Sequence, residues 1–364
     1  MKKNNLFKMS MVLALVTLMV GLDINLPTPA GAKETIKMRI GCGHNLNADW
    51  VRFLSDFFCK ETVKRVDQRT NYRLELTEHW GGSVAKLGEE LESVEIGLLD
   101  IGGVITSFEP TKLYLHNLFY NIPFSPGDAR VASRIKEKLY KQIPALKDEF
   151  KKYNQIYLGS GGADDFGLIS KFPINSIDAV KGRKIAGGGP NLPWITGGGA
   201  VPVQSTLPEG YTSLQTGVYD GFIMFATSVV GFKYHEVCKY YTIMNFGTNA
   251  IVLQITINAK VWNKLPREVQ AILQEVAHEY SIKEPEFLEE KHVTAMKVMK
   301  DYGTVIHQIS EPEKRKWAAA LINQPKKFAK EADAKGWPGT ELVKTALKLM
   351  KEEGYPPARN WMEE

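Results

Sequence analysis

The sequence predicts an α/β protein built from two lobes, with one long helix that bridges both lobes. Strand and helix patterns alternate in two successive blocks, and a long helical pattern follows the second block. The chain has 364 residues, whereas a single hydrophobic core usually stops growing at roughly 250–300 residues. We therefore expect two mostly parallel sheets, with ligand-binding loops at the carboxyl ends of their strands.

The first block contains three strand patterns and two helical ones. An apolar strand at 36–40 leads into the turn Gly41-Cys42-Gly43, and residues 72–77 alternate as a second strand does. Residues 87–97 have a helical pattern, and residues 99–102 open a third strand. The helix between the first two strands has one apolar stripe, formed by Trp50, Phe53, Leu54, Phe57 and Phe58.

The second block begins after Lys181, where a strand at 183–186 runs into the glycine-rich segment 187–190. Between the blocks lie residues 158–162, which include three glycines. These glycines allow the dihedral changes of a hinge and equally those of an ordinary turn, so both interpretations are open.

A long helix is predicted from Pro266, which suits a first helical turn, to about residue 300. Pro285 is expected to kink this helix. With the helix as a bridge, we predict a first lobe of residues 33–160 plus 251–290. The second lobe then comprises residues 161–250 plus 291–364, including a helical C-terminal tail.

The N-terminus predicts export. Three lysines precede an apolar run at 9–22 that is too short to span a bilayer comfortably. The small residues Ala30-Gly31-Ala32 follow, so we predict a signal peptide at 1–32, cleaved before Lys33, and a periplasmic location. An uncleaved membrane anchor is the alternative. No later segment approaches 18 uninterrupted apolar residues, so the mature chain is expected to be soluble.

Charge and cysteine content exclude several classes of function. Without residues 1–32 the chain has 43 basic and 40 acidic side chains, a balance that argues against a nucleic-acid partner. Its three cysteines are not in zinc or redox spacing, so we predict no metal and no cofactor. Cys42 and Cys59 are candidates for a disulfide, although their spacing does not establish one.

Four stretches, in this order and spacing, resemble the DctP-type binding proteins of TRAP transporters. They are residues 87–102 with LGEELE and GLLDIG, 180–185 (VKGRKI), 211–221 (YTSLQTGVYDG) and 234–240 (YHEVCKY). The resemblance implies a two-lobed periplasmic binding protein fold that closes on a small-molecule organic anion. It also implies delivery of the solute to the small and large membrane subunits of an ion-driven permease.

The sequence departs from the family pattern at four pocket positions. An arginine that pairs with the solute carboxylate commonly follows the VKGRKI stretch, but Ala186 stands there. Phe166 occupies a second position that is basic in acid-sugar binders, and Met224 and Phe246 replace residues that are often polar.

Two interpretations of these departures are open. In one, Phe166, Met224 and Phe246, with Trp80 and Trp194, line a pocket for a solute that has an apolar or aromatic body and one acidic group. In the other, these side chains fill the core and the anion binds elsewhere.

Donors for the acid group are expected from both lobes. Asn45 and Thr106 follow strands of the first lobe, and Asn191 and Trp194 follow the glycine run of the second lobe. Backbone N–H groups of residues 187–189 are further candidates, although a wide loop explains the glycines as well. A sulfonate such as isethionate suits several neutral donors and is the alternative solute.

A periplasmic hydrolase is the alternative class of function. The seven histidines show no H-E-x-x-H or H-x-H spacing, and Ser160 does not lie in G-x-S-x-G. The sequence therefore brings no nucleophile together with a base, and a binding protein is the prediction.

Overall fold

Two separate sheets organise the computed structural model, which describes residues 33–363. The predicted signal peptide, residues 1–32, lies outside the described residues. The described part contains the strands β1 (Glu34–Gly41), β2 (Tyr72–His79), β3 (Ile101–Ile105), β4 (Gln155–Gly161), β5 (Phe166–Ser170), β6 (Lys184–Gly187), β7 (Val201–Gln204), β8 (Gly221–Phe225), β9 (Tyr240–Ile243), β10 (Leu253–Asn258) and β11 (Val305–Gln308).

The strands divide into a five-stranded sheet in the order β2-β1-β3-β10-β4 and a six-stranded sheet in the order β11-β9-β5-β8-β6-β7. We call the surroundings of these sheets the first and the second lobe. The predicted two-lobed α/β class is confirmed.

Both sheets are mostly parallel, as expected from the sequence, but each also contains a strand that runs antiparallel to its neighbours. In the first sheet, β1 pairs parallel with β3, whereas β10 is antiparallel to both β3 and β4. In the second, β6 is parallel to β7 and β8, whereas β5 is antiparallel to β8 and β9. The antiparallel strands β5 and β10 are those by which the chain enters one sheet after leaving the other. Their direction is set by that crossing and not by a strand–helix–strand unit.

Helices surround both sheets. A π-helical turn at Leu54–Cys59 joins the first two of them. The helices are α1 (Asp49–Phe53), α2 (Lys60–Arg69), α3 (Glu90–Glu95), α4 (Ala129–Gln142), α5 (Ala145–Lys151), α6 (Pro193–Thr196), α7 (Leu207–Thr216), α8 (Ala226–Gly231), α9 (Ala259–Trp262), α10 (Arg267–Tyr302), α11 (Glu311–Ala320), α12 (Gln324–Ala334) and α13 (Gly339–Glu352).

Helix α10 is the predicted bridge between the lobes. It is 36 residues long and contacts α2 and β4 of the first lobe as well as α8 of the second. The helix continues past Pro285, which lacks the N–H that would bond the carbonyl of Ser281. That carbonyl instead accepts hydrogen bonds from Ser133 Oγ at 3.2 Å and from Lys136 Nζ at 3.3 Å. Side chains of α4 thus satisfy the backbone group that the proline leaves free.

Two glycines of the suggested hinge allow close packing and lie in a strand. Gly159 and Gly161 belong to β4, and neither has a positive φ. A Cβ on Gly159 would come within 2.6 Å of the Ala277 carbonyl oxygen, and one on Gly161 within 2.5 Å of the Tyr280 hydroxyl. Both glycines therefore let α10 lie directly on β4. The chain crosses to the second sheet only after this contact.

The C-terminal helices pack away from both sheets. Helices α12 and α13 bury their apolar faces against α4 and the turn at Leu115–Asn117, in a cluster separate from the main core. Since α4 also contacts α10, this cluster supports the bridging helix from a second side. The residue ranges predicted for the lobes stay a prediction.

We expect Gly159→Ala to lower the free energy of unfolding by about 1–3 kcal/mol, because the added methyl group overlaps the backbone of α10. Urea unfolding followed by circular dichroism measures the change. Gly188→Ala is the matched control, since a Cβ there meets no atom within 4 Å. Equal stability of the two variants would show that α10 does not depend on this contact.

Candidate ligand-binding site

A cavity of about 480 Å³ lies between the two sheets. Its walls come from the loops and turns that follow β1, β3, β6 and β7 and from the strand β8. This is the position at the carboxyl ends of strands where ligands collect in such sheets. Both lobes contribute, the first with His44, Trp50, Ser107, Phe108 and Val252, the second with Phe166, Gly188, Asn191, Ser205 and Met224.

Aromatic rings form most of the cavity wall. The Phe166 ring centroid lies 5.0 Å from that of Phe225 and 6.0 Å from that of Tyr120. Trp50 of the first lobe meets Phe225 of the second edge-on, with 5.3 Å between the centroids. The lobes therefore touch through ring contacts at the site itself, which leaves an apolar space between them.

Three buried polar side chains of this wall have unpartnered atoms. Both ring nitrogens of His44, Nε1 of Trp50 and Oδ1 of Asn191 have no hydrogen-bond partner among the described residues. The exposed fractions of these side chains are 4%, 1% and 3%, respectively. Buried polar atoms are normally paired, so an unpartnered group of this kind points to a ligand.

The cavity contains no permanent positive charge. No Lys or Arg side chain lines it within the described part of the chain. Burial lowers the pKa of His44 to about 3, so that its imidazole is neutral at physiological pH when the cavity is empty. Burial also raises the pKa of Tyr120, whose hydroxyl lies beside Asn249 and Ser107.

Three of the sequence-predicted residues line the cavity. Phe166 and Met224 face it from adjacent positions on β5 and β8, and Asn191 follows β6. Trp194 packs behind them, with its ring centroid 5.4 Å from that of Phe166, and its Nε1 donates to the Tyr120 carbonyl oxygen at 2.8 Å. The ligand contacts of these residues stay a prediction.

The other predicted residues lie elsewhere. Thr106 Oγ1 donates to the Ile251 carbonyl oxygen, and Ala186 is buried within β6. Phe246 fills the core among the rings of Phe124, Trp194 and Trp317. At the edge of the first lobe, Asn45 Oδ1 accepts from Asn47 N at 3.0 Å and Trp80 Nε1 donates to Glu78 at 2.8 Å. The structure does not bring these five side chains to the cavity wall.

Sequence reasoning missed His44 and Trp50. His44 directly precedes Asn45 in the first strand-to-helix loop, which the sequence places at the ligand edge of the sheet, and that location was the available signal. Trp50 matches the apolar stripe of a core helix, and its unpartnered Nε1 is visible only in the folded chain.

A wider space adjoins the cavity and has a volume of about 1140 Å³. The two share Ser107, Phe108 and Gly188. Asn117, Asn121 and Gln204 make this space more polar than the cavity, and Phe328 of α12 flanks it.

Within residues 33–363 the side chains form neither a cluster of potential metal ligands nor a disulfide. In that range no three His, Cys, Asp or Glu side chains are grouped to hold a metal ion. All three cysteines are buried there without forming a disulfide, so the candidate bridge between Cys42 and Cys59 is wrong. No helix of the same range is long and apolar enough to cross a membrane.

Two mixed α/β lobes, joined by crossing strands and a bridging helix around an apolar cavity, define the class of two-lobed solute-binding proteins. Residues 56–331 match the family model DctP, described as bacterial extracellular solute-binding protein, family 7. The match spans more than half of the chain, and the chain belongs to this family. The family is one of solute receptors and not a class of enzymes.

Relatives support this assignment. The C4-dicarboxylate-binding periplasmic protein DctP of Rhodobacter capsulatus is 24% identical over 260 residues, covering 70% of this chain and 76% of that protein. An extracytoplasmic receptor of Bordetella pertussis that binds pyroglutamic acid has a TM-score of 0.74 at 17% identity, covering 85% of this chain and 99% of the other. A marine metagenome TRAP solute-binding protein in complex with 3-hydroxybenzoate has a TM-score of 0.75 at 20% identity. The match covers 88% of this chain and 99% of the other.

We expect Trp194→Phe to lower the free energy of unfolding by about 1–3 kcal/mol, because the buried Tyr120 carbonyl oxygen loses its indole donor. Thermal and urea unfolding measure this. Trp80→Phe is the matched control, since its indole bonds the exposed Glu78 and its loss should change stability by less than about 0.5 kcal/mol. A larger loss in the control would contradict the assignment of Trp194 as a structural support of the cavity.

Proposed function

We propose that this protein is the extracytoplasmic solute-binding subunit of a TRAP transporter and captures a small organic acid with an apolar or aromatic body. The observation that carries the proposal is the cavity between the lobes, which combines an aromatic wall with a few unpartnered polar atoms. Ligand pockets typically have this composition.

The replaced basic positions favour a solute with one acid group. Ala186 is buried in β6 and Phe166 is part of the cavity wall, so neither position supplies a guanidinium for a carboxylate. A dianion would bring a second charge into a space lined by no Lys or Arg, and burying an unpaired charge is costly. Similar structures with bound 3-hydroxybenzoate or pyroglutamic acid match the expected size and charge of the solute.

Cellular context follows from the same proposal. The chain is exported by a cleaved signal peptide, works in the periplasm, and hands the solute to the small and large membrane subunits of the permease. The family assignment and the periplasmic relative support this role. The protein requires neither cofactor nor metal for it.

A small sulfonate is the second candidate solute. Trp50 Nε1 and the side chains of Ser107, Asn191 and Ser205 are neutral groups on the same wall, and three sulfonate oxygens suit several neutral donors. Isethionate, which lacks a ring, tests whether these donors suffice without ring contacts.

We expect 3-hydroxybenzoate or a related aromatic monoacid to raise the melting temperature, because binding to the folded state alone adds about 2.7 kcal/mol at 100 times Kd. Differential scanning fluorimetry compares it with pyroglutamate, isethionate and galacturonate, and calorimetry then gives Kd. If galacturonate raises the melting temperature and none of the other three solutes does, the apolar-pocket proposal is wrong.

Phe166→Arg should weaken binding of the aromatic acid at least tenfold, because a long charged side chain replaces a ring of the cavity wall. Titration calorimetry measures the loss, and circular dichroism confirms that the variant is folded. Phe246→Leu is the matched control, since Phe246 lies behind the wall, and its affinity should stay within about threefold of wild type. Equal effects of the two substitutions would assign Phe166 to the core and not to the site.

A further inference from the structure

The cavity wall poses an electrostatic problem for an acidic solute. A carboxylate that enters it leaves water and meets no Lys or Arg side chain among the described lining residues. A buried charge without enough partners is costly, and the polar side chains on this wall are few. The wall does contain one side chain that becomes a cation by gaining a single proton, which is His44.

His44 is held in a defined orientation. It lies in the loop after β1, where its carbonyl oxygen accepts from Gly81 N at 3.0 Å. Its ring meets Trp50 edge-on at 5.5 Å and Phe108 at 6.0 Å between centroids. These contacts fix the imidazole by its faces and edges, while both of its nitrogens remain without a partner.

A second buried histidine shows what a purely structural role looks like in this protein. The His116 side chain is fully buried, with Nδ1 2.7 Å from Glu149 Oε2 and Nε2 2.8 Å from the Tyr140 hydroxyl. Both nitrogens of that ring are satisfied by the protein. His44 is almost as buried, yet neither nitrogen is satisfied, which indicates that its partner is the solute.

We propose, on the basis of the function proposed above, that His44 is the specificity-determining residue for the acid group and that it takes up one proton when the anion binds. The proton comes from the solvent, and no covalent bond forms or breaks. In the complex an imidazolium N–H donates to a carboxylate oxygen, and the Trp50 Nε1–H is a second donor on the same wall. The protein thereby matches a monoanion with a charge that is absent from the empty cavity.

The sign of the pH dependence follows from this scheme. Burial lowers the pKa of His44 to about 3 in the empty cavity, whereas an adjacent anion raises it. Between these two pKa values each bound anion brings one proton, so affinity falls up to tenfold for each unit of rising pH. Above the pKa of the complex the dependence ends. Affinity is therefore higher at pH 6 than at pH 8.

Other titratable groups near His44 are few. The loop of His44 contains the buried Cys42 thiol, and α1 after it begins with Asp49, whose pKa burial raises to about 6. Glu90 on α3 accepts from Gly43 N at 3.0 Å, and burial raises its pKa to about 8. Glu109 follows Phe108 and is paired with Lys112, and Tyr120 lies on the cavity wall. The second lobe adds no titratable side chain to the described wall.

The experiment measures proton uptake directly. Calorimetric titration of the wild type with 3-hydroxybenzoate at pH 7.5, in buffers of different ionisation enthalpy, should give an uptake close to one proton per solute. Separate titrations should give at least tenfold tighter binding at pH 6 than at pH 8. Benzenesulfonate, which cannot itself carry the proton, should show the same uptake. Binding without uptake would overturn the role of His44 and leave the transport proposal standing, whereas no binding of either acid would overturn both.

Two variants locate the proton. His44→Phe retains an aromatic ring without nitrogens and should lose at least tenfold in affinity at pH 6 and show no pH dependence between pH 6 and pH 8. Glu90→Gln removes the neighbouring group that titrates near pH 8 and should retain the uptake. Full affinity of the His44→Phe variant would reduce His44 to a packing role, and loss of uptake in the Glu90→Gln variant would place the proton on Glu90.

Discussion

The contact between helix α10 and strand β4 is the constraint on which the rest of the structure depends. Glycines at 159 and 161 bring the helix backbone onto the strand, and Ser281 Oγ then accepts from Ser160 N at 3.0 Å while Glu284 accepts from Gly162 N at 3.0 Å. The helix reaches the cavity from the same face, because the Tyr280 hydroxyl donates to the Trp50 carbonyl oxygen at 3.0 Å. One face of α10 therefore positions both β4, by which the chain leaves the first lobe, and α1, which carries Trp50 of the cavity wall.

The cavity beside this contact is mainly apolar and has few polar atoms. The wall around Trp50, Phe166 and Phe225 is made of rings that touch one another, so that the lobes meet through apolar surface. In such a space each polar atom is either paired or aimed at a guest. The protein pairs Trp194 and Tyr120 internally, whereas atoms of His44, Trp50 and Asn191 have no partner and are the ones we propose to bind the solute. Specificity then depends on a few atoms, while the rings supply contact area.

The sequence predicted most of the fold because strand and helix periods are local properties. The strand at 36–40, the stripe from Trp50 to Phe58 and the long helix after Pro266 all lie within elements of the structure. The reversed direction of β5 and β10 was not predictable in the same way, since their antiparallel pairing depends on how the chain crosses between lobes. The site was partly predictable. The departures at Phe166 and Met224 fall on the cavity wall, whereas Phe246 lies one layer behind it. His44 was missed because a pattern of residue types does not show which buried nitrogen lacks a partner.

The distribution of the unpartnered atoms between the lobes connects solute recognition with closure. His44 and Trp50 belong to the first lobe and Asn191 to the second, so a solute reaches all of them only when the lobes meet. A ligand favours a closed arrangement only by the interactions that it gains there and not in the open one. In the proposed complex an aromatic body contacts Trp50 on one side and Phe166 on the other, and the acid group has His44 as its partner. Closure is thus favoured most by a solute that presents both features at the right separation, which makes the same geometry the basis of selectivity.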